Sequence, residues 1–153
     1  MRYARIRKMD VSNGPGVRAS LWTQGCHFHC DGCFNKETWD YNAGREYTQE
    51  TEDKIIDTCK KKHIVGLSIL GGEPLSECNL KELKKLLQRF RKEIPEKDVW
   101  LWTGYKYENL SKEQLEVANL CDVIVDGQFI DSKKDLDLQY RGSSNQRVIY
   151  KKR

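Results

Sequence analysis

The chain has 153 residues, 27 Lys and Arg against 23 Asp and Glu, and a net charge of +4. That length suits one domain over residues 1–153 and falls well short of the ~250 residues of a complete eight-stranded (β/α) barrel. The mild charge is spread along the chain apart from Lys60-Lys61-Lys62 and Lys151-Lys152-Arg153, so no clustered basic stripe for nucleic acid is expected.

Arg2, Arg5, Arg7 and Lys8 lead into no apolar stretch, so no signal peptide is expected. No run approaches the ~20 apolar residues of a membrane helix. These features predict a cytoplasmic chain whose six cysteines are reduced. Tyr3–Met9 is a candidate first strand. Asn13-Gly14-Pro15-Gly16 is a turn, whose glycines could also bring backbone close to a ligand. Residues 17–23 form a strand that runs through Gln24-Gly25 into Cys26-His27-Phe28-His29-Cys30-Asp31-Gly32-Cys33.

Three thiols in that stretch are spaced C-x3-C-x2-C. A helix would splay them, whereas a loop can turn all three toward one point. Zinc in a structural site takes four ligands, which would require His27 or His29 to complete the set. A 4Fe–4S cluster held by three thiolates keeps one iron open, and an open iron can bind a small molecule.

Further on, residues 48–62 read as a helix with Ile55, Ile56 and Cys59 on one face. Residues 64–70 suit a buried parallel strand ending in Gly71-Gly72-Glu73-Pro74. There, two residues without Cβ allow close backbone approach, and a carboxylate can accept from an ammonium. Residues 79–93 predict a helix capped by Asn79 with Glu82 three residues on, a core stripe at Leu80, Leu83, Leu86, Leu87 and Phe90, and Pro95 beyond it.

Residues 99–103 form another strand, followed by Gly104-Tyr105. A helix over 111–120 carries a capping box, Ser111 with Gln114, and a staple of Leu110 on Leu115. Strands follow at 122–126 and 146–150, with a short helical turn at 133–137 and a loop at 141–145. Cys59, Cys78 and Cys121 read as small buried hydrophobes, and Trp22, Trp39, Trp100 and Trp102 as core. Alternation after the cysteine loop predicts an α/β fold, an open partial (β/α) barrel of about five or six mainly parallel strands with right-handed crossovers. The cysteine loop would lie at the C-terminal mouth of the strands, the end that carries chemistry in such barrels.

The cysteine spacing resembles the signature of the radical S-adenosylmethionine (SAM) enzymes. In that superfamily SAM chelates the open iron, and one electron splits its sulfonium C–S bond to give a 5′-deoxyadenosyl radical. An aromatic residue usually precedes the third cysteine. Here Gly32 does, and Phe34 follows it. Gly32-Cys33-Phe34-Asn35 is similar to one branch, the activating proteins of anaerobic ribonucleoside-triphosphate reductases. Asn13–Gly16, Trp102-Thr103-Gly104-Tyr105, Asp126-Gly127-Gln128-Phe129 and Arg141–Arg147 resemble further segments of the same proteins, so the likeness covers nearly the whole chain.

The resemblance implies metal ligands Cys26, Cys30 and Cys33, which act catalytically through the cluster. It implies SAM contacts from Gly32, Cys33, Phe34, Gly71, Gly72 and Glu73, with Thr103 or Asp126 at the ribose. His27 and His29 would tune solvent access or meet a partner. The implied reaction is abstraction of a glycine Cα hydrogen on the reductase's glycyl-radical subunit, with a low-potential donor such as flavodoxin. The alternatives are an activase of another glycyl-radical enzyme, such as pyruvate formate-lyase, and a non-catalytic zinc-binding adaptor.

Overall fold

The computed structural model describes residues 1–151; Lys152 and Arg153 of the terminal basic run lie outside the described residues. Among the described residues seven strands form one sheet: β1 (Arg2–Asp10), β2 (Arg18–Thr23), β3 (Arg45–Glu46), β4 (Gly66–Gly71), β5 (Asp98–Trp102), β6 (Val123–Asp126) and β7 (Arg147–Tyr150). Their order is β3-β1-β2-β4-β5-β6-β7. The central β2, β4, β5 and β6 are parallel neighbours. The flanking β1, β3 and β7 pair antiparallel. The sheet is open and mixed, with an α/β core as the alternation predicts. It has more strands than expected, because the two-residue β3 carries no periodicity of its own. β7 reverses direction because a loop without a crossover helix joins it to β6.

Among the described residues three α-helices, α1 (Gln49–Cys59), α2 (Leu80–Glu93) and α3 (Lys112–Ala118), supply the crossovers. Leu83, Leu86, Leu87 and Phe90 of α2 are fully buried, each stabilising by roughly 1.5–3 kcal/mol. They meet Ala19, Leu21, Leu67, Ile69, Val99, Leu101 and Ile124 from the strands. Alternation along each strand then sends Arg18, Trp22, Ser68, Leu70, Trp100, Trp102 and Val125 to the other face. A smaller apolar cluster of Trp100, Val123 and Val125 with Trp102, Tyr140 and Val148 forms there.

Several expectations are corrected. Asn79 does not cap α2: it has helical dihedrals after a 3-10 turn (Glu77–Asn79) and makes no side-chain cap bond. Its Nδ2 instead donates to the Glu73 carbonyl at 3.1 Å. Glu82 lies 3.6 Å from the N-terminal amine. The turn placed at 133–137 is a 3-10 turn at Asp131–Lys133. Cys59 and Cys121 are buried but Cys78 is exposed, since it falls on the 3-10 turn outside the core. Trp22 and Trp100 are buried, whereas Trp39 and Trp102 are half-buried and line a cavity. The box of Ser111 and Gln114 on α3 is present in both directions. Among the described residues no helix is long and apolar enough to cross a membrane.

Candidate functional site

A cavity of about 590 Å³ lies on the face opposite the helices. Its floor is Trp22, Leu70, Trp102 and Val125, one residue from each parallel strand, and its rim is the set of segments leaving their C-terminal ends. Cys26, Cys30 and Cys33 line it, together with Phe34, Gly71, Gly72, Glu73 and Thr103. The topology therefore brings the cysteine loop and the Gly-Gly-Glu-Pro stretch to one space. Among the described residues no three His, Cys, Asp or Glu side chains close on a single ion.

The loop is shaped by backbone bonds. Gly25 N–H donates to Thr38 O at 2.6 Å, Cys26 N–H to Trp39 O at 3.1 Å, and Cys33 N–H to Cys30 O at 3.1 Å. Gln24, almost fully buried, donates to Glu37 O and Asp40 O at 3.0 and 2.8 Å and pins the segment that closes the loop. Local periodicity carries no sign of this role, which is long-range. His29 (φ +47) stacks on Trp39 at 4.4 Å. His27 sits between Tyr41 and Tyr105, 3.4 and 3.3 Å from their hydroxyls. Both histidines are thus engaged with aromatic side chains beside the thiols. Burial pushes the Cys26 and Cys30 thiols up; backbone N–H groups facing each sulfur oppose it.

Glu73 is buried and accepts from Thr103 Oγ1 (2.7 Å), Gly104 N–H (2.6 Å) and Leu75 N–H (2.9 Å). Burial raises its pKa to about 7 in spite of those donors. Glu73 N–H donates to Gly25 O at 2.7 Å, which ties this stretch to the cysteine loop. The two glycines face protein backbone. A Cβ on Gly72 would stand 2.3 Å from Gly25 O, and one on Gly71 (φ +115) would stand 2.6 Å from Thr23 N and O. A Cβ on Gly32 (φ +75) would stand 2.5 Å from the Asp131 carboxylate.

Thr103 reaches the cavity, but its hydroxyl is already turned to Glu73. Asp126 is not among the lining residues; its carboxylate accepts from Tyr107 N–H (2.8 Å), Arg147 Nε (3.0 Å) and Arg147 Nη2. Asn13 joins the lining from the opposite end of β2, with its carbonyl accepting from Ser68 Oγ at 2.6 Å. Gly14 and Gly16 approach the side chains of Arg18 and Val65, so that loop behaves as a turn.

Three soft sulfur donors on the wall of a cavity with room for a ligand fit an iron–sulfur cluster with one exchangeable position. The family described as a 4Fe-4S single cluster domain matches residues 12–149. The chain is 46% identical over 152 residues to the anaerobic ribonucleoside-triphosphate reductase-activating protein of Salmonella typhi, covering 97% of each chain. It is 45% identical over 150 residues to that of Escherichia coli (strain K12), again with 97% of each covered. The protein of that name from Enterobacteria phage T4 is 41% identical over 150 residues, with 97% of this chain and 93% of the relative covered. With thiol loop, fold and sequence in agreement along nearly its whole length, the chain belongs to the family of anaerobic ribonucleoside-triphosphate reductase-activating proteins.

Proposed function

We propose that residues 1–153 act as a single radical SAM domain that places a glycyl radical on an anaerobic ribonucleoside-triphosphate reductase, in the cytoplasm and with a low-potential donor such as flavodoxin. The observation that carries this reading is the convergence of the three thiols and the Gly71-Gly72-Glu73 stretch on one cavity at the strand ends. Cys26, Cys30 and Cys33 hold the 4Fe–4S cluster, which when bound supplies the single electron that cleaves the C–S bond of SAM.

The chain's own residues do the rest by position. Gly71 and Gly72 bring β4 against β2 and the cysteine loop so that the cofactor's two halves of the site share a wall. A carboxylate has about four acceptor positions; three on Glu73 are taken, and the remaining one would accept from the SAM amino group. Gly32, Cys33 and Phe34 border the same space. Thr103 serves the ligand through Glu73. Asp126 acts at one remove, by holding Tyr107 and Arg147. Among the described residues no α-helix crosses the cavity face, which leaves a way in for a peptide loop of a large partner.

The test is direct. The reduced, cluster-loaded protein with SAM and the reductase should give 5′-deoxyadenosine, methionine and a glycyl-radical doublet in electron paramagnetic resonance. Replacing the acceptor glycine of the reductase by Ala should abolish the doublet. Cleavage of SAM with no doublet, while a small metabolite is converted instead, overturns the reading.

A further inference from the structure

The late segments around Gln128 and Arg141–Arg147 meet beside the second cysteine. Gly127 (φ +98) donates its N–H to Tyr105 O at 3.1 Å as the chain leaves β6. Gln146 Nε2 donates to Gly127 O at 3.0 Å, and Asn145 Nδ2 to Gln128 O at 2.8 Å. The Phe129 ring lies 5.2 Å from that of Phe34. A Cβ on Gly142 would come within 2.9 Å of Phe129 and 3.1 Å of Phe34, so the returning segment of this strap packs directly on the pair. Residues 127–129 are thereby held from both sides.

The consequence falls on Cys30. Its Sγ lies 3.9 Å from Gln128 Oε1, a residue 98 positions away. The donor facing Cys33 is local, the N–H of Asn35 at 3.4 Å. A free thiol donates a proton to the Gln carbonyl. A sulfur bound to iron is a thiolate and only accepts. A half-turn of the Gln amide puts Nε2 where Oε1 stands, at no steric cost. Hydrogen bonds to the sulfurs are among the features that set the potential of an iron–sulfur cluster. They stabilise the more negative, reduced form.

We propose that Gln128 is a positioning residue that hydrogen-bonds the Cys30 sulfur in the loaded protein and raises the reduction potential of the cluster. This rests on the reading of Cys30 as a cluster ligand.

The experiment is an anaerobic redox titration of the reconstituted protein, without SAM or reductase, followed by electron paramagnetic resonance with iron content as the control. Gln128→Leu should lower the reduced-to-oxidised ratio at the wild-type midpoint on the order of tenfold, ~59 mV for a one-electron couple. Gln128→Glu, which only accepts and adds a negative charge, should shift the midpoint further the same way. Gln128→Lys, which donates and adds a positive charge, should shift it upward relative to Gln128→Leu. Iron content should stay at the wild-type level, because the side chain is exposed and the strap is held through the Gln128 carbonyl. Wild-type midpoints in Gln128→Leu and Gln128→Glu overturn the proposal. Were Gln128→Leu to lose iron, the isosteric Gln128→Glu alone decides by the same criterion. Full iron in Cys30→Ala would instead overturn the underlying reading of the ligand set.

Discussion

Glu73 is a carboxylate that the fold buries and then surrounds with donors. Its pKa rises from 4.5 to about 7, so the native state binds this proton more tightly than the unfolded chain does. The stabilisation is fully present below pH 4.5 and is lost as the pH climbs through about 7. At ~1.4 kcal/mol per pH unit the loss is about 3 kcal/mol at most. Urea unfolding of the cluster-free protein at pH 5 and pH 8 should show this slope, and Glu73→Gln should flatten it while destabilising at both pH values. Gly72→Val should be more damaging than a residue exposed only to ligand would be, since its Cβ meets the carbonyl that precedes Cys26. Iron content after reconstitution should fall together with SAM binding; normal iron with lost SAM binding would mean that the backbone yields. Cys26→Ala, Cys30→Ala and Cys33→Ala should each lose the cluster, whereas Cys59→Ala, Cys78→Ala and Cys121→Ala should keep its iron. At this scale the chemistry that each residue type can perform is legible in the sequence. The atoms that each residue meets are not, as Gly72 and Asp126 show.

The elements carry their own instructions unevenly. The reciprocal bonds of Ser111 and Gln114 at the start of α3 follow from a four-residue pattern and form as that pattern predicts. Ser111→Ala should cost ~1 kcal/mol, lowering Tm by roughly 2–4 °C in a chain of this size. Gln114→Ala should cost more, because Gln114 Nε2 also donates to Leu75 O at 2.9 Å and so ties α3 to the stretch after Glu73. Calorimetry of the two variants ranks them; equal shifts would remove the Leu75 bond from the account. Asn79 shows the limit of such patterns. The same kind of signal precedes α2, yet a preceding 3-10 turn already supplies the helical backbone, and the side chain is drawn to Glu73 O. Of the edge strands, the two-residue β3 was not legible, whereas β7, expected at 146–150, was legible as a strand but takes its direction from what it pairs with.

Across the whole molecule, one buried guanidinium organises the helix-free face. Arg18 is fully buried and donates to Ser68 Oγ (2.7 Å), Leu67 O (3.1 Å), Pro15 O (3.2 Å) and Asp98 Oδ1 (2.6 Å), joining β2, β4, β5 and the first loop. Arg18→Met should destabilise by roughly 2–3 kcal/mol in urea titrations, below the range for a fully buried pair because Asp98 is 41% exposed. No change in midpoint would show that Ser68 and Asp98 are satisfied without it. By itself the sequence determined the alternating α/β order, the apolar faces of the helices and the chemistry of the cysteine loop. These are local properties, written in spacings of two to four residues. Only the tertiary structure decided that the sheet opens into a cavity on its helix-free side, that both glycines of Gly71-Gly72 press on backbone, that Asp126 is spent on Arg147, and that Gln128 stands beside Cys30. Such meetings depend on how strands far apart in the chain are brought side by side, and no local period encodes them.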